Sequence, residues 1–136
     1  IQVVIKCHPA NPFSRFSHKV DLNDLPPHFG FSEENLSILL DRGTALVYTS
    51  SGAVLEALAT NVSLIHLNSG LDLYWDPLDS CPKVRLEAYS PRDLTDSVLR
   101  VLTHGASECT SASESSIALS KLLSQPTIET YKRFTL

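Results

Sequence analysis

The stretch Ala45-Leu46-Val47-Tyr48-Thr49-Ser50-Ser51-Gly52-Ala53-Val54-Leu55-Glu56-Ala57-Leu58 decides the fold of this chain. Its first four residues are short, apolar and flanked by turn formers, which predicts a buried strand over residues 45–48. The apolar run that follows Gly52 predicts a helix over residues 51–60. A buried strand that leads directly into a helix is the unit from which parallel α/β sheets are built.

The rest of the chain repeats this alternation of buried strands and amphipathic helices. Further strands are predicted at residues 1–6, 62–67 and 84–86, and a loop at 26–30. Ser90 is the predicted N-cap of a helix that Gly105 ends. The pattern predicts an α/β fold, a Rossmann-like parallel sheet flanked by helices. We expect a domain over residues 1–104, with a serine-rich connection and C-terminal helices over 105–136.

The turn between the strand and the helix is suited to binding an anion. Ser50, Ser51 and Gly52 present two hydroxyls, backbone N–H groups and the positive end of a helix dipole, a combination that suits a phosphate. Gly52 also allows a ligand to approach the backbone closely. The alternative is simple capping of the helix, for which serine and glycine are preferred without any ligand.

Two further residues are candidates for the same site. His8 follows the first strand and precedes Pro9, which favours an extended backbone and a side chain that can contact a phosphate. Glu56 is a carboxylate in an otherwise apolar helix, where it can bind ribose or sugar hydroxyls or can simply face solvent. In an open α/β sheet, ligands bind beyond the carboxyl ends of the strands, so we expect these residues to converge there.

The loop over residues 68–82 carries Trp75, the single tryptophan of the chain. Its ring is suited to stacking on a base or a sugar, or to sealing an edge of the core. We favour the second of these interpretations.

Composition excludes several classes of function. The net charge of −4, without a basic stripe, argues against nucleic acid as the main partner. No apolar run reaches the length of a membrane span. The histidines and cysteines lack metal-ligand spacing, so no metal site is expected. The cysteines Cys7, Cys81 and Cys109 are odd in number, which predicts free thiols in a reducing, cytoplasmic compartment.

The paired motifs His8-Pro9 and Ser50-Ser51-Gly52, followed by Glu56-Ala57-Leu58, resemble the carboxy-terminal domain of GT-B-type glycosyltransferases. The similarity is greatest to bacterial sialyltransferase-like and surface-polysaccharide enzymes. The resemblance implies that His8, Ser50, Ser51 and Gly52 contact the phosphate of a nucleotide sugar, with CMP- and UDP-linked sugars as the candidates, and that Glu56 binds ribose or the sugar. No other cofactor is implied, and the catalytic residues are not identified.

The resemblance also implies what lies outside the chain. An N-terminal domain would bind most of the glycan acceptor, and the start at Ile1 in mid-strand suggests a fragment that is inactive alone and exposes a surface for homo-oligomerisation. An alternative is a UDP-sugar 2-epimerase-like domain, since His8-Pro9-Ala10-Asn11-Pro12 resembles the motif of those enzymes. A third is a non-catalytic domain for binding nucleotide sugars or for interaction.

Overall fold

A computed structural model describes most of the chain, namely residues 1–15, 17–19, 21, 24–68, 70, 75–105 and 112–123. It divides into two compact units, Ile1–Leu39 and Leu40–Leu136, here called the N-terminal and the C-terminal unit. Cys109 and the predicted last helix from Pro126 lie outside the described residues. The predicted boundary at residues 104–105 stays a prediction.

The N-terminal unit is built on two short parallel strands. Strand β1 (Val3–Ile5) pairs with β2 (Phe29–Phe31), with Val4 opposite Gly30. Among the described residues between them, two 3₁₀ turns occur, and the ring of Phe13 in the first contacts the ring of Phe31, with 4.0 Å between centroids. The prediction of a loop over residues 26–30 was wrong for Phe29 and Gly30, which belong to strand β2. Phe-Gly-Phe is too short for its alternation to be recognised beside two prolines.

Helix α1 (Leu36–Arg42) carries the chain across the division between the units. The C-terminal unit then contains β3 (Ala45–Tyr48), α2 (Ala53–Ala57), β4 (Ser63–Leu67), β5 (Leu86–Ala88), α3 (Pro91–His104) and α4 (Ala112–Leu122). Its three described strands are parallel and lie in the order β3-β4-β5. The predicted α/β class with parallel strands and flanking helices is therefore confirmed, although the described strands form two small sheets instead of one.

The two faces of the β3-β4-β5 sheet differ in chemistry because side chains alternate along each strand. On one face, Ile65, Ala88 and Val101 of α3 form a fully buried apolar cluster, with Leu67 and Leu86 packed against it. The opposite face carries Tyr48, His66 and Glu87, which occupy paired positions on the three strands. One face is thus a hydrophobic core and the other a row of polar side chains.

Helix α3 has the N-cap and the C-terminal glycine that its sequence predicts. The hydroxyl of Ser90 accepts a hydrogen bond from the backbone N–H of Asp93, as expected of an N-cap. Gly105 follows the helix with φ of 79°, a conformation that glycine adopts without strain.

Several predicted elements have different bounds in the structure. Strand β1 covers Val3–Ile5 of the predicted 1–6, and β4 covers Ser63–Leu67 of the predicted 62–67. Helix α2 ends at Ala57, because Ala59 and Thr60 bond to carbonyls three residues back and tighten the last turn. Strand β5 begins two residues after the predicted start, since Pro82–Val84 forms a 3₁₀ turn. Within the described ranges, no helix combines the length and the apolar character needed to cross a membrane.

Candidate functional site

The turn after β3, residues 49–52, is here called the serine turn. The hydroxyl of Ser51 accepts a hydrogen bond from the backbone N–H of Ala53 at 3.2 Å, so part of the turn does serve local capping. No hydrogen bond within the described part of the chain uses the backbone N–H groups of Ser51 and Gly52. These two donors are therefore available to an anion.

Gly52 lies in an open position. A Cβ atom built there would meet nothing within 4 Å, and its φ of −64° is an ordinary helical value. Backbone conformation does not require glycine at this position. What glycine provides is unobstructed access to the N–H groups of the turn.

A contact that sequence reasoning missed joins the serine turn to Trp75. The Ser50 hydroxyl donates a hydrogen bond of 2.6 Å to the backbone carbonyl of Trp75. The Trp75 residue is 67% exposed, so the prediction that it seals the core was wrong. An exposed aromatic residue thus lies beside the turn with the unused N–H groups.

Glu56 lies on the exposed side of α2, while Val54 and Ala57 of the same helix are buried. Its carboxylate is accessible to a ligand and to solvent alike. A ribose- or sugar-binding role stays a prediction.

His8 belongs to the N-terminal unit, whereas the serine turn belongs to the C-terminal unit. Its ring nitrogen Nδ1 accepts a hydrogen bond of 3.1 Å from the backbone N–H of Ala10. This bond requires the tautomer that carries its proton on Nε2. His8 can then offer one neutral N–H donor to a phosphate, and its contact with a nucleotide stays a prediction.

The polar face of the C-terminal sheet holds a largely buried network of polar and charged groups. His66 is fully buried, and its Nδ1 lies 2.8 Å from Oε2 of Glu87. The other oxygen of Glu87 accepts a bond of 2.5 Å from Nε of Arg85, and the Arg85 guanidinium also donates to Asp76. Asp76 accepts in addition from the backbone N–H of Leu78 at 3.0 Å.

Burial of the network affects its titratable groups. Burial raises the pKa of the Tyr48 phenol, nearby Asp76 raises it further, and Arg85 opposes both. For Arg85, burial by itself lowers the pKa, but the hydrogen bond to Glu87 and the charges of its neighbours leave it raised. Tyr48 is therefore held neutral and Arg85 charged.

The raised pKa of Tyr48 predicts a loss of stability at alkaline pH. The folded state retains this proton longer than the unfolded state, whose tyrosines ionise near 10.0. The contribution of Tyr48 to the free energy of unfolding is complete below pH 10.0 and falls as pH rises above it, because ionisation of the phenol then favours the unfolded state. We expect absorbance at the phenolate band to show one of the four tyrosines ionising late, together with unfolding. A Tyr48→Phe variant should lack this late component, and an unchanged titration in that variant would refute the assignment.

The sequence contained a weak signal for this network. Arg85 and Glu87 are two residues apart around Leu86, and His66 interrupts the apolar run of β4. Period-two spacing of charged residues beside a buried strand indicates that they share one face of the sheet. Asp76 gave no such signal, since it lies in a polar loop.

No group of three or more histidine, cysteine or acidic side chains suited to holding a metal ion occurs among the described residues. The thiols of Cys7 and Cys81 are free. No protein-family model, curated protein or solved structure matches this chain, so the candidate site is defined by its own geometry.

Proposed function

We propose that the C-terminal unit binds the nucleotide part of an activated sugar, as the donor-binding domain of a glycosyltransferase. The observation that carries the proposal is the 2.6 Å hydrogen bond between Ser50 and the Trp75 carbonyl. It places an exposed aromatic residue beside a turn with two unused N–H donors at the carboxyl end of a parallel strand. Ligands of open α/β sheets bind at that end.

The two halves of the site match the two halves of a nucleotide. The N–H groups of Ser51 and Gly52 provide donors for a phosphate, and the open space over Gly52 admits it. The Trp75 ring provides a flat surface on which a base or a sugar can stack. Glu56 is an exposed acceptor on the helix that follows the turn and is available to ribose or sugar hydroxyls. Acceptor binding and sugar transfer are assigned to none of these residues.

The test uses Trp75 itself, since it is the single tryptophan of the protein. We expect at least one of CMP, CDP, UDP and GDP to change its fluorescence in a saturable way and to raise the melting temperature, because a ligand of the folded state stabilises it. Combined Ser50→Ala and Ser51→Ala replacement should weaken that binding by about 1–3 kcal/mol.

Ser120→Ala is the matched control. Its exposed hydroxyl also donates to a backbone carbonyl, that of Ile117 at 2.9 Å, but on α4. It should bind the nucleotide as the unmodified protein does. The absence of a saturable response to all four nucleotides, or equal affinity in the double variant with the fold intact, would overturn the proposal.

A further inference from the structure

A cleft of the C-terminal unit lies between the 3₁₀ turn Pro82–Val84 and helix α4. Its volume is about 440 Å³, within the range of sites that take small molecules. The turn precedes β5, whereas the serine turn follows β3, and the strands are parallel. The cleft therefore lies at the opposite edge of the sheet from the proposed nucleotide site and is separate from it.

The inner wall of the cleft is apolar. Val84 and Ala118 line it and are each 2% exposed, and Pro82 and Ile117 extend the same lining. Ile117 is 66% exposed although its side chain is large and apolar. Because apolar surface gains free energy when it leaves water, this lining favours a ligand with an apolar body.

The cleft also carries positive charge. Lys83 and Lys121 line it and are exposed, and neither makes an ion pair with another residue in the described ranges. The Lys121 ammonium donates one hydrogen bond of 3.1 Å to the backbone carbonyl of Ser80, and an ammonium has three N–H donors. The acidic side chain of the lining is that of Glu114. Two lysines and one glutamate give the lining a net positive charge of one.

We propose that this cleft binds a medium-chain carboxylic acid, with its hydrocarbon chain against Val84 and Ala118 and its carboxylate at Lys83 and Lys121. The apolar wall provides for the chain, and the single charge of a carboxylate balances the net charge of the lining. The proposal goes beyond the nucleotide site and does not depend on it. It also accounts for a large exposed isoleucine beside two lysines on one cleft.

Cys81 reports whether the cleft is occupied, because its half-buried thiol belongs to the lining. The measurement is the rate at which iodoacetamide alkylates each thiol of the unmodified protein, followed by mass spectrometry of its peptides. Octanoate should slow the reaction of Cys81 in a saturable way, by about tenfold near ten times its Kd, because the empty fraction of the cleft falls by that factor.

Cys7 is the internal control for this measurement. Its thiol is also free and half-buried, but it belongs to the N-terminal unit. Its rate of alkylation should not change with octanoate. Equal protection of both thiols would show an effect that is not specific to the cleft, and no protection of Cys81 would show that the acid does not bind there. Either result would overturn the proposal.

The charge of the ligand is tested with octanol and octylamine, which carry the same hydrocarbon chain. Octanoate should protect Cys81 with an affinity about two- to fivefold higher than that of octanol, the factor of one exposed ion pair. Octylamine should bind more weakly than octanol, because its ammonium meets the two lysines. Equal affinities for the three compounds, or a preference for octylamine, would overturn the proposal.

Variants of the lining locate the site. Lys83→Gln should reduce the preference for octanoate over octanol and leave the affinity for octanol unchanged. Ile117→Glu places a negative charge on the cleft and should abolish protection by octanoate, and its exposed position favours an intact fold.

Leu102→Glu is the matched control, since Leu102 is a 47% exposed apolar residue on α3 outside the lining of the cleft. It should retain full protection by octanoate. Full protection in Ile117→Glu, or the same loss in both glutamate variants with their folds intact by circular dichroism, would contradict the proposal.

Discussion

Replacing Arg85 by methionine is expected to lower the free energy of unfolding by about 3–5 kcal/mol, because it leaves the buried carboxylate of Asp76 without its ionic partner. The Asp76 side chain is fully buried and accepts from the Arg85 guanidinium, and the same guanidinium donates to Glu87. Methionine fills a similar volume but carries no charge. The measurement is urea unfolding, monitored by circular dichroism. The dependence of the unfolding free energy on urea concentration should be the same in the variant and the unmodified protein, so that a shifted midpoint reports stability alone.

Arg92→Met is the matched control for this prediction. Arg92 lies 4.0 Å from Asp96 on α3, and its side chain is 91% exposed. Exposed pairs of this kind contribute little to stability, so the control should unfold at nearly the same urea concentration. If the two variants lost similar stability, Arg85 would not be the buried counter-charge that the structure shows.

A second-site variant tests the cause of the effect. Asp76→Asn in the Arg85→Met background removes the buried charge that has lost its ionic partner, so it should recover part of the lost stability. If Arg85→Met alone does not fold, Arg85→Lys keeps the positive charge but not the planar fork and should lose less. A lysine variant as unstable as the methionine variant would argue against a role for the charge.

Replacing Ile65 by alanine is expected to lower the free energy of unfolding by about 2–5 kcal/mol, the cost of a cavity in a packed core. Ile65 lies on the central strand of the C-terminal sheet and is fully buried against Ala88 and Val101. Neighbouring strands on both sides restrict the collapse of the space that it leaves. Ile65→Val, which removes one methyl group, should cost about 0.5–1.5 kcal/mol.

Ile117→Ala is the control for the core prediction. Ile117 lies on α4 and is 66% exposed, so truncation removes little buried surface. We expect its unfolding midpoint to stay near that of the unmodified protein. Equal losses from Ile65→Ala and Ile117→Ala would place the core elsewhere than on the α3 face of the sheet.

Local signals predicted the class of the fold and several of its elements. The apolar stretch at Ala45–Tyr48 forms the predicted strand, and Ser90 caps α3 as expected. These features depend on neighbouring residues, such as an apolar run, a capping hydroxyl and a glycine after the helix. The pairing of Phe29–Phe31 with β1 was not predictable in this way, since its partner lies more than 20 residues earlier.

In the candidate site, too, local features were predictable from the sequence and contacts between distant residues were not. The sequence singled out Ser50, Ser51 and Gly52 because a strand, a small polar turn and a helix follow one another there. It assigned Trp75 to the core, because a lone aromatic residue in a loop carries no sign of whether it is covered. The contact of Ser50 with the Trp75 carbonyl spans 25 residues, and only the folded chain reveals it.

The sequence by itself determined an α/β class with parallel strands and a serine turn at the end of β3, because short-range patterns of apolar and capping residues specify both. Only the tertiary structure decided that Tyr48, His66 and Glu87 stand side by side and that Arg85 reaches Asp76. The register between strands sets which side chains meet, and register follows from how the whole sheet buries its faces. A charged residue in the sequence therefore gives no sign of its partner until the strands are paired.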